Sequence, residues 1–161
     1  MLTGSGGAMN DEHQQAFSRL SPIWPRWLSL ASAGIMAFGL IMVLLPALTM
    51  EGFSLLVYGS SSRIAGFGTE PGRYIALAHA VLGAVMLSWG LLLWFVVRGA
   101  FARGEREGWR MVALAVAAWF VPDTAFSLWS GFWHNALLNV LILLLYAVPL
   151  AATRSVFFNT R

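Results

Sequence analysis

Residues 109–149, WRMVALAVAAWFVPDTAFSLWSGFWHNALLNVLILLLYAVP, hold two long apolar runs on either side of a glycine, with one acid inside the first run. Runs of about 20 apolar residues are the length that crosses a bilayer as helix. Hydrocarbon offers no water to backbone N–H and C=O groups, so each run must satisfy its own hydrogen bonds. The segment therefore predicts two membrane-crossing helices folded back on each other near Gly131.

Ser127 and Asn135 each stand four residues from Gly131, and Asp123 and Asn139 each stand eight. In an antiparallel hairpin, equal distance from the turn means roughly equal depth. A spacing of four also keeps each pair on one helix face. Two polar rungs are expected, Ser127 with Asn135 and Asp123 with Asn139. At ~1.5 Å per residue the deeper rung lies about 12 Å below the turn, within hydrocarbon. A carboxylate there costs roughly 2.5–3.5 kcal/mol, so Asp123 needs a partner, a proton or water. An amide can donate to either form of the acid. Pro122, lacking an N–H, is expected to kink the helix and free the carbonyl of Ala118. Asp123 thus has two readings, an interhelical hydrogen-bonding group or a functional acid.

The rest of the chain follows the same logic. Of 161 residues, 58% are hydrophobic and 11% charged, which is not the composition of an ordinary soluble domain. Four apolar runs predict an all-α, integral membrane four-helix bundle with spans over residues 28–50, 74–97, 111–129 and 135–152, in one domain of residues 28–153. Residues 1–27 read as a mobile tail and interfacial lead-in, with a short helix over 11–20, and residues 154–161 as a second tail. No apolar core follows an early basic region, so no signal peptide is expected. Pro46 should bend or end the first span. In the long loop over residues 51–73, FSLLVYG reads as strand-like or as a half-buried interfacial piece, and GSSSRIAGFGTEPG as a flexible turn region. Ser29, Ala33 and Ala37 in the first span, and Ala76, Ala80, Ala84 and Ser88 in the second, form small-residue stripes suited to close helix contact or self-association.

Arginines set the orientation. The chain has no lysine; its ten basic residues are all Arg. Arg19, Arg26, Arg98, Arg103, Arg106, Arg110, Arg154 and Arg161 fall on one side of a four-span topology, and only Arg63 and Arg73 on the other. The rule that basic loops stay inside places both termini in the cytoplasm of a bacterial inner membrane. Trp24, Trp27, Trp94 and Trp109 then sit near the inner interface, with Trp129 and Trp133 near the outer one. The arginine linker can also meet anionic lipid headgroups. No basic stripe interleaves with aromatics, so nucleic acid is not an expected partner.

With that topology, Asp123, Ser127, Asn135, Asn139, His79 and His134 all fall in the outer half. Polar groups from three spans at one depth point to a ligand-binding pocket open to the outer side, with interhelical hydrogen bonding as the competing explanation. Chain chemistry excludes other classes. There is no cysteine, hence no disulfide, thiolate metal site, iron–sulfur cluster or cysteine nucleophile. No His–Glu or His–His pair has metal-ligand spacing, and no cofactor is expected. A haem or other tetrapyrrole between His79 and His134 is the alternative to that expectation. Ser127 lies within helical reach of Asp123, but no histidine stands at a matching offset for nucleophilic catalysis. The inner half lacks the ionisable residues that a proton channel needs.

The layout resembles the small four-helix bacterial membrane proteins of the BphX-like and DoxX-like sort. It shares a first span, a long outer loop, Arg73-Tyr74 opening a second span, a basic linker and a closing polar hairpin, VPDTAFSLWSGFWHNALLNV. Some DoxX-like relatives are linked to quinone or redox work, but no cysteine or evident cofactor ligand carries that role over. The sequence thus points to a non-enzymatic membrane protein, either an accessory subunit or a binder of a small hydrophobic or amphipathic ligand in an outer-half pocket. The alternatives are a redox or transport component using Asp123 with His79 or His134, and a purely structural subunit of a larger membrane complex.

Overall fold

The computed structural model describes residues 20–158. Residues 11–19 of the tail helix expected over 11–20, with Arg19 and Arg161, lie outside the described residues. Five α-helices follow in order: α1 Ile23–Leu44, α2 Pro46–Tyr58, α3 Thr69–Val96, α4 Arg106–Trp129 and α5 Trp133–Phe158. No strand occurs among the described residues. Helices α1, α3, α4 and α5 are long and apolar enough to cross a membrane, which bears out the four-span, all-helical reading.

Two differences from the expected bounds have clear causes. The first span ends at Leu44, because Leu45 leaves helical geometry at φ −131°, ψ 58°. Pro46 then opens α2 instead of merely ending α1; proline at a first helical position loses no hydrogen bond and comes with its φ already set. Residues 53–58 of FSLLVYG are therefore helical and not strand-like, and Gly59 caps the helix at φ +68°. The helix packs beside α1 and α3 through Phe53, whose ring lies 6.4 Å from Phe38 and edge-on, 5.4 Å, to His79. Tyr58 reaches Phe132 in the α4–α5 turn at 6.2 Å. The second difference is length: α3 leads into a five-residue π turn, Val97–Phe101, kinked at Gly99 (φ −93°, ψ −105°), and α5 continues through Pro149 to Phe158.

The long helices pack as two antiparallel pairs. Helices α1 and α3 touch backbone to backbone. A Cβ on Gly39 would stand 2.6 Å from the carbonyl oxygen of Gly83, and one on Gly90 would stand 2.8 Å from Met36 Cγ and 3.0 Å from the Ser32 carbonyl. The contact therefore repeats every seven residues, at Ser32 and Gly39 against Gly90 and Gly83, and not along the expected stripes. Ala37, Ala84 and Ser88 of those stripes are exposed. Small residues let backbones approach when dispersion must replace the hydrophobic effect.

Helices α4 and α5 close through the predicted turn. Gly131 has φ +82°, a left-handed conformation that favours glycine. The Phe132 N–H donates to the Ser127 carbonyl at 2.8 Å and the Gly131 N–H to that of Leu128 at 3.2 Å, which satisfies the carbonyls at the end of α4. The helix runs unbroken through Pro122.

All four long helices meet at the arginine-rich end, where Leu28, Val97, Phe101, Val112, Tyr146 and Phe157 form the buried core. Pro149 has no N–H, so the carbonyl of Leu145 one turn earlier loses its helical donor. Trp27 Nε1 of α1 donates to that carbonyl at 2.9 Å. Trp109 Nε1 of α4 donates to the Leu150 carbonyl at 3.0 Å, and Arg106 Nε to that of Phe157 at 2.9 Å. Tryptophans expected as interface anchors thus also pin α5 to its neighbours.

Candidate functional site

The inward stripe of α4 continues from Val112 and Val116 to Asp123 and Ser127, and that of α5 from Tyr146 back to Asn139 and Ala136. The helical repeat therefore carries polar side chains from both helices to one interface near the turn. The first expected rung is present: Asn135 Nδ2 donates to Ser127 Oγ at 2.8 Å. The second is shifted. Asn135 Nδ2 also donates to Asp123 Oδ1 at 3.2 Å, while Asn139 Nδ2 donates to Thr124 Oγ1 at 3.3 Å instead of reaching Asp123. Residues 123 and 124 both lie about one turn before Ser127, since a turn holds 3.6 residues. The spacing alone does not choose between them, and the pairing of the helices gives Asn139 to the threonine.

The result is a clasp. Both amide protons of Asn135 are used, and the Ser127 hydroxyl donates to the Asp123 carbonyl at 2.7 Å with a longer approach, 3.4 Å, to Oδ1. Ser127 and Asn139 are buried, and Asp123 and Asn135 half-buried. Among the described residues Asp123 Oδ2 accepts no donor.

The histidines stand apart from the clasp. His79 Nδ1 lies 2.9 Å from the Ile75 carbonyl on its own helix, with Phe53 against its edge. His134 stacks on Trp133 with ring centres 3.6 Å apart. Neither hydrogen-bonds to Asp123, Ser127 or Asn135, and no group of three or more potential metal-binding side chains converges among the described residues.

A cleft of ligand size lies elsewhere, between α1 and α5. It measures about 480 Å³ and is walled by Trp27, Leu30, Gly34, Phe38, Ile142 and Leu145, with Met86 and Tyr146 behind them. The wall is almost wholly apolar. Tyr146 is 1% exposed, and its hydroxyl has no hydrogen-bond partner among the described residues. Ser32 stands beside it, donating its own proton to the Leu28 carbonyl at 2.8 Å and keeping its oxygen able to accept. In the sequence Tyr146 is one polar residue within a long apolar run. The signal that could have found the cleft is the pairing of Gly34, which removes a side chain from α1, with Pro149, which draws Trp27 to the cleft rim.

Comparison with family models, with curated proteins and with solved structures returns no match in any of the three. Fold and site together define the class: an all-helical bundle with four helices long and apolar enough to cross a membrane, the build of a multi-pass membrane protein.

Proposed function

We propose that this chain is a non-enzymatic multi-pass protein of a bacterial inner membrane, with both termini in the cytoplasm, that binds a small hydrophobic or amphipathic ligand between its helix pairs. The observation that carries this reading is the α1–α5 cleft, about 480 Å³ and walled almost wholly by apolar side chains. Pockets of this volume suit a small ligand. A ligand with an apolar body would fill the space between these walls. The Asp123 clasp supports the site indirectly, by fixing α5 against α4. The orientation rests on charge: Arg26, Arg98, Arg103, Arg106, Arg110 and Arg154 gather at one end of the bundle, and Arg63 and Arg73 at the other. The layout shared with BphX-like and DoxX-like proteins agrees with a small accessory membrane protein.

Gly34 provides the test, because a Cβ there meets nothing within 4 Å and a larger side chain would enter the cleft without striking the backbone. Small molecules that co-purify with the wild-type protein in mild detergent are to be compared, by extraction and mass spectrometry, with those of Gly34→Phe. The reading expects about one bound molecule per wild-type chain and its loss from a variant that still folds. Equal retention in both proteins, or no bound molecule in either, refutes it.

A further inference from the structure

A second cavity, about 840 Å³, lies between the start of α1 and the end of α3. Two of its lining residues are arginines, Arg26 from the first turn of α1 and Arg98 from the π turn, and the wall running from them along the span carries Leu30, Ala33 and Trp94. The arginines of this end are not equivalent. Arg103 pairs with Glu105 at 2.5 Å and Arg110 with Glu107 at 2.8 Å, so the linker's two acids are engaged by neighbours. Among the described residues Arg26 and Arg98 have no carboxylate within ion-pair distance. Arg98 instead lies over the face of Trp94, 4.9 Å from the ring centre. Stacking uses the flat side of a guanidinium and leaves its N–H edge free to donate, the edge that matches a phosphate. Among the described residues Arg154 also has no carboxylate within ion-pair distance, but it is the lone arginine of a groove beside Trp109 and Phe158.

Position supplies the second half of the argument. Helix α1 begins at Ile23 and α3 ends at Val96, so both arginines stand at the same terminus of the spans, where hydrocarbon gives way to headgroups. Below them Leu30 is 75% exposed, an apolar side chain with no protein cover. Paired guanidinium groups above an apolar trough complement a molecule with a phosphate at one end and a hydrocarbon chain at the other. We propose that this cavity is a specific site for an anionic phospholipid, with Arg26 and Arg98 on the headgroup phosphate and an acyl chain along Leu30, Ala33 and Trp94. A headgroup with its own cation is disfavoured, because that cation would face two arginines. The site stands independently of the α1–α5 cleft and touches it only at Leu30, which lines both.

The test is native mass spectrometry of the full-length protein with phosphatidylglycerol or phosphatidylcholine of identical acyl chains. Wild type binds phosphatidylglycerol more tightly. Arg26→Gln/Arg98→Gln weakens that binding roughly thirtyfold, about fivefold for each arginine near an anionic lipid. Arg110→Gln, whose arginine already has Glu107, leaves it unchanged. Arg26→Lys/Arg98→Lys, which keeps both charges, binds more tightly than the glutamine variant and so guards against a folding artefact. Millimolar inorganic phosphate does not displace the lipid. Equal affinity for the two lipids, full binding by the glutamine variant, no advantage of lysine over glutamine, or displacement by inorganic phosphate each overturns the proposal; the last would make a soluble phosphate the ligand.

Discussion

Replacing Asn135 by alanine removes the centre of the α4–α5 clasp, and its cost can be worked from the bonds. Two are lost, to Ser127 Oγ at 2.8 Å and to Asp123 Oδ1 at 3.2 Å. Side-chain hydrogen bonds between membrane helices average about 0.6 kcal/mol each, with a maximum near 1.7, so Asn135→Ala should cost ~1.2 kcal/mol. Asn139→Ala loses the single bond to Thr124 and should cost ~0.6 kcal/mol. Reversible unfolding in mixed micelles reads both values. Double-mutant cycles then read the pairing itself. Asp123→Ala combined with Asn135→Ala should show coupling of about 0.6 kcal/mol, and combined with Asn139→Ala close to none. The reverse pattern, coupling to Asn139 and none to Asn135, would restore the symmetric rungs read from the sequence and refute the clasp.

Other expectations follow from single contacts. Gly39→Ala places a methyl 2.6 Å from the Gly83 carbonyl oxygen and 2.7 Å from Leu87 N, backbone atoms that cannot step aside; the α1–α3 pair should lose ~1–3 kcal/mol by thermal or denaturant unfolding, while Gly52→Ala, with open space at its Cβ, costs far less. Trp27→Phe removes the donor to the Leu145 carbonyl and should destabilise by about 1 kcal/mol, an effect that shrinks in a Pro149→Ala background, where the helix supplies its own N–H; equal effects in both backgrounds would show that the indole packs without bonding.

The four spans were legible because long apolar runs leave the backbone one solution in hydrocarbon. Gly131 and the Ser127–Asn135 rung were legible because a turn glycine fixes a centre from which depth can be counted. That reasoning failed at Asn139, where helical periodicity puts Asp123 and Thr124 at almost the same depth and only the pairing of α4 with α5 decides. Helix α2 was hidden because Pro46 is compatible both with ending one helix and with opening the next, and Leu45 alone makes the break. The small-residue stripes were sought at intervals of four, whereas α1 and α3 meet at intervals of seven, through Gly39, Gly83 and Gly90. The cleft was hard to read, since it lies between α1 and α5, distant in the chain, and Gly34 with Pro149 is the one local signal for it.

The most direct measurement is an experimental map of the full-length protein in a lipid nanodisc, inspected between α1 and α5. The account predicts discrete density along Gly34, Phe38 and Ile142. A cleft closed by its own walls, or filled only by density continuous with the surrounding lipid, would contradict it.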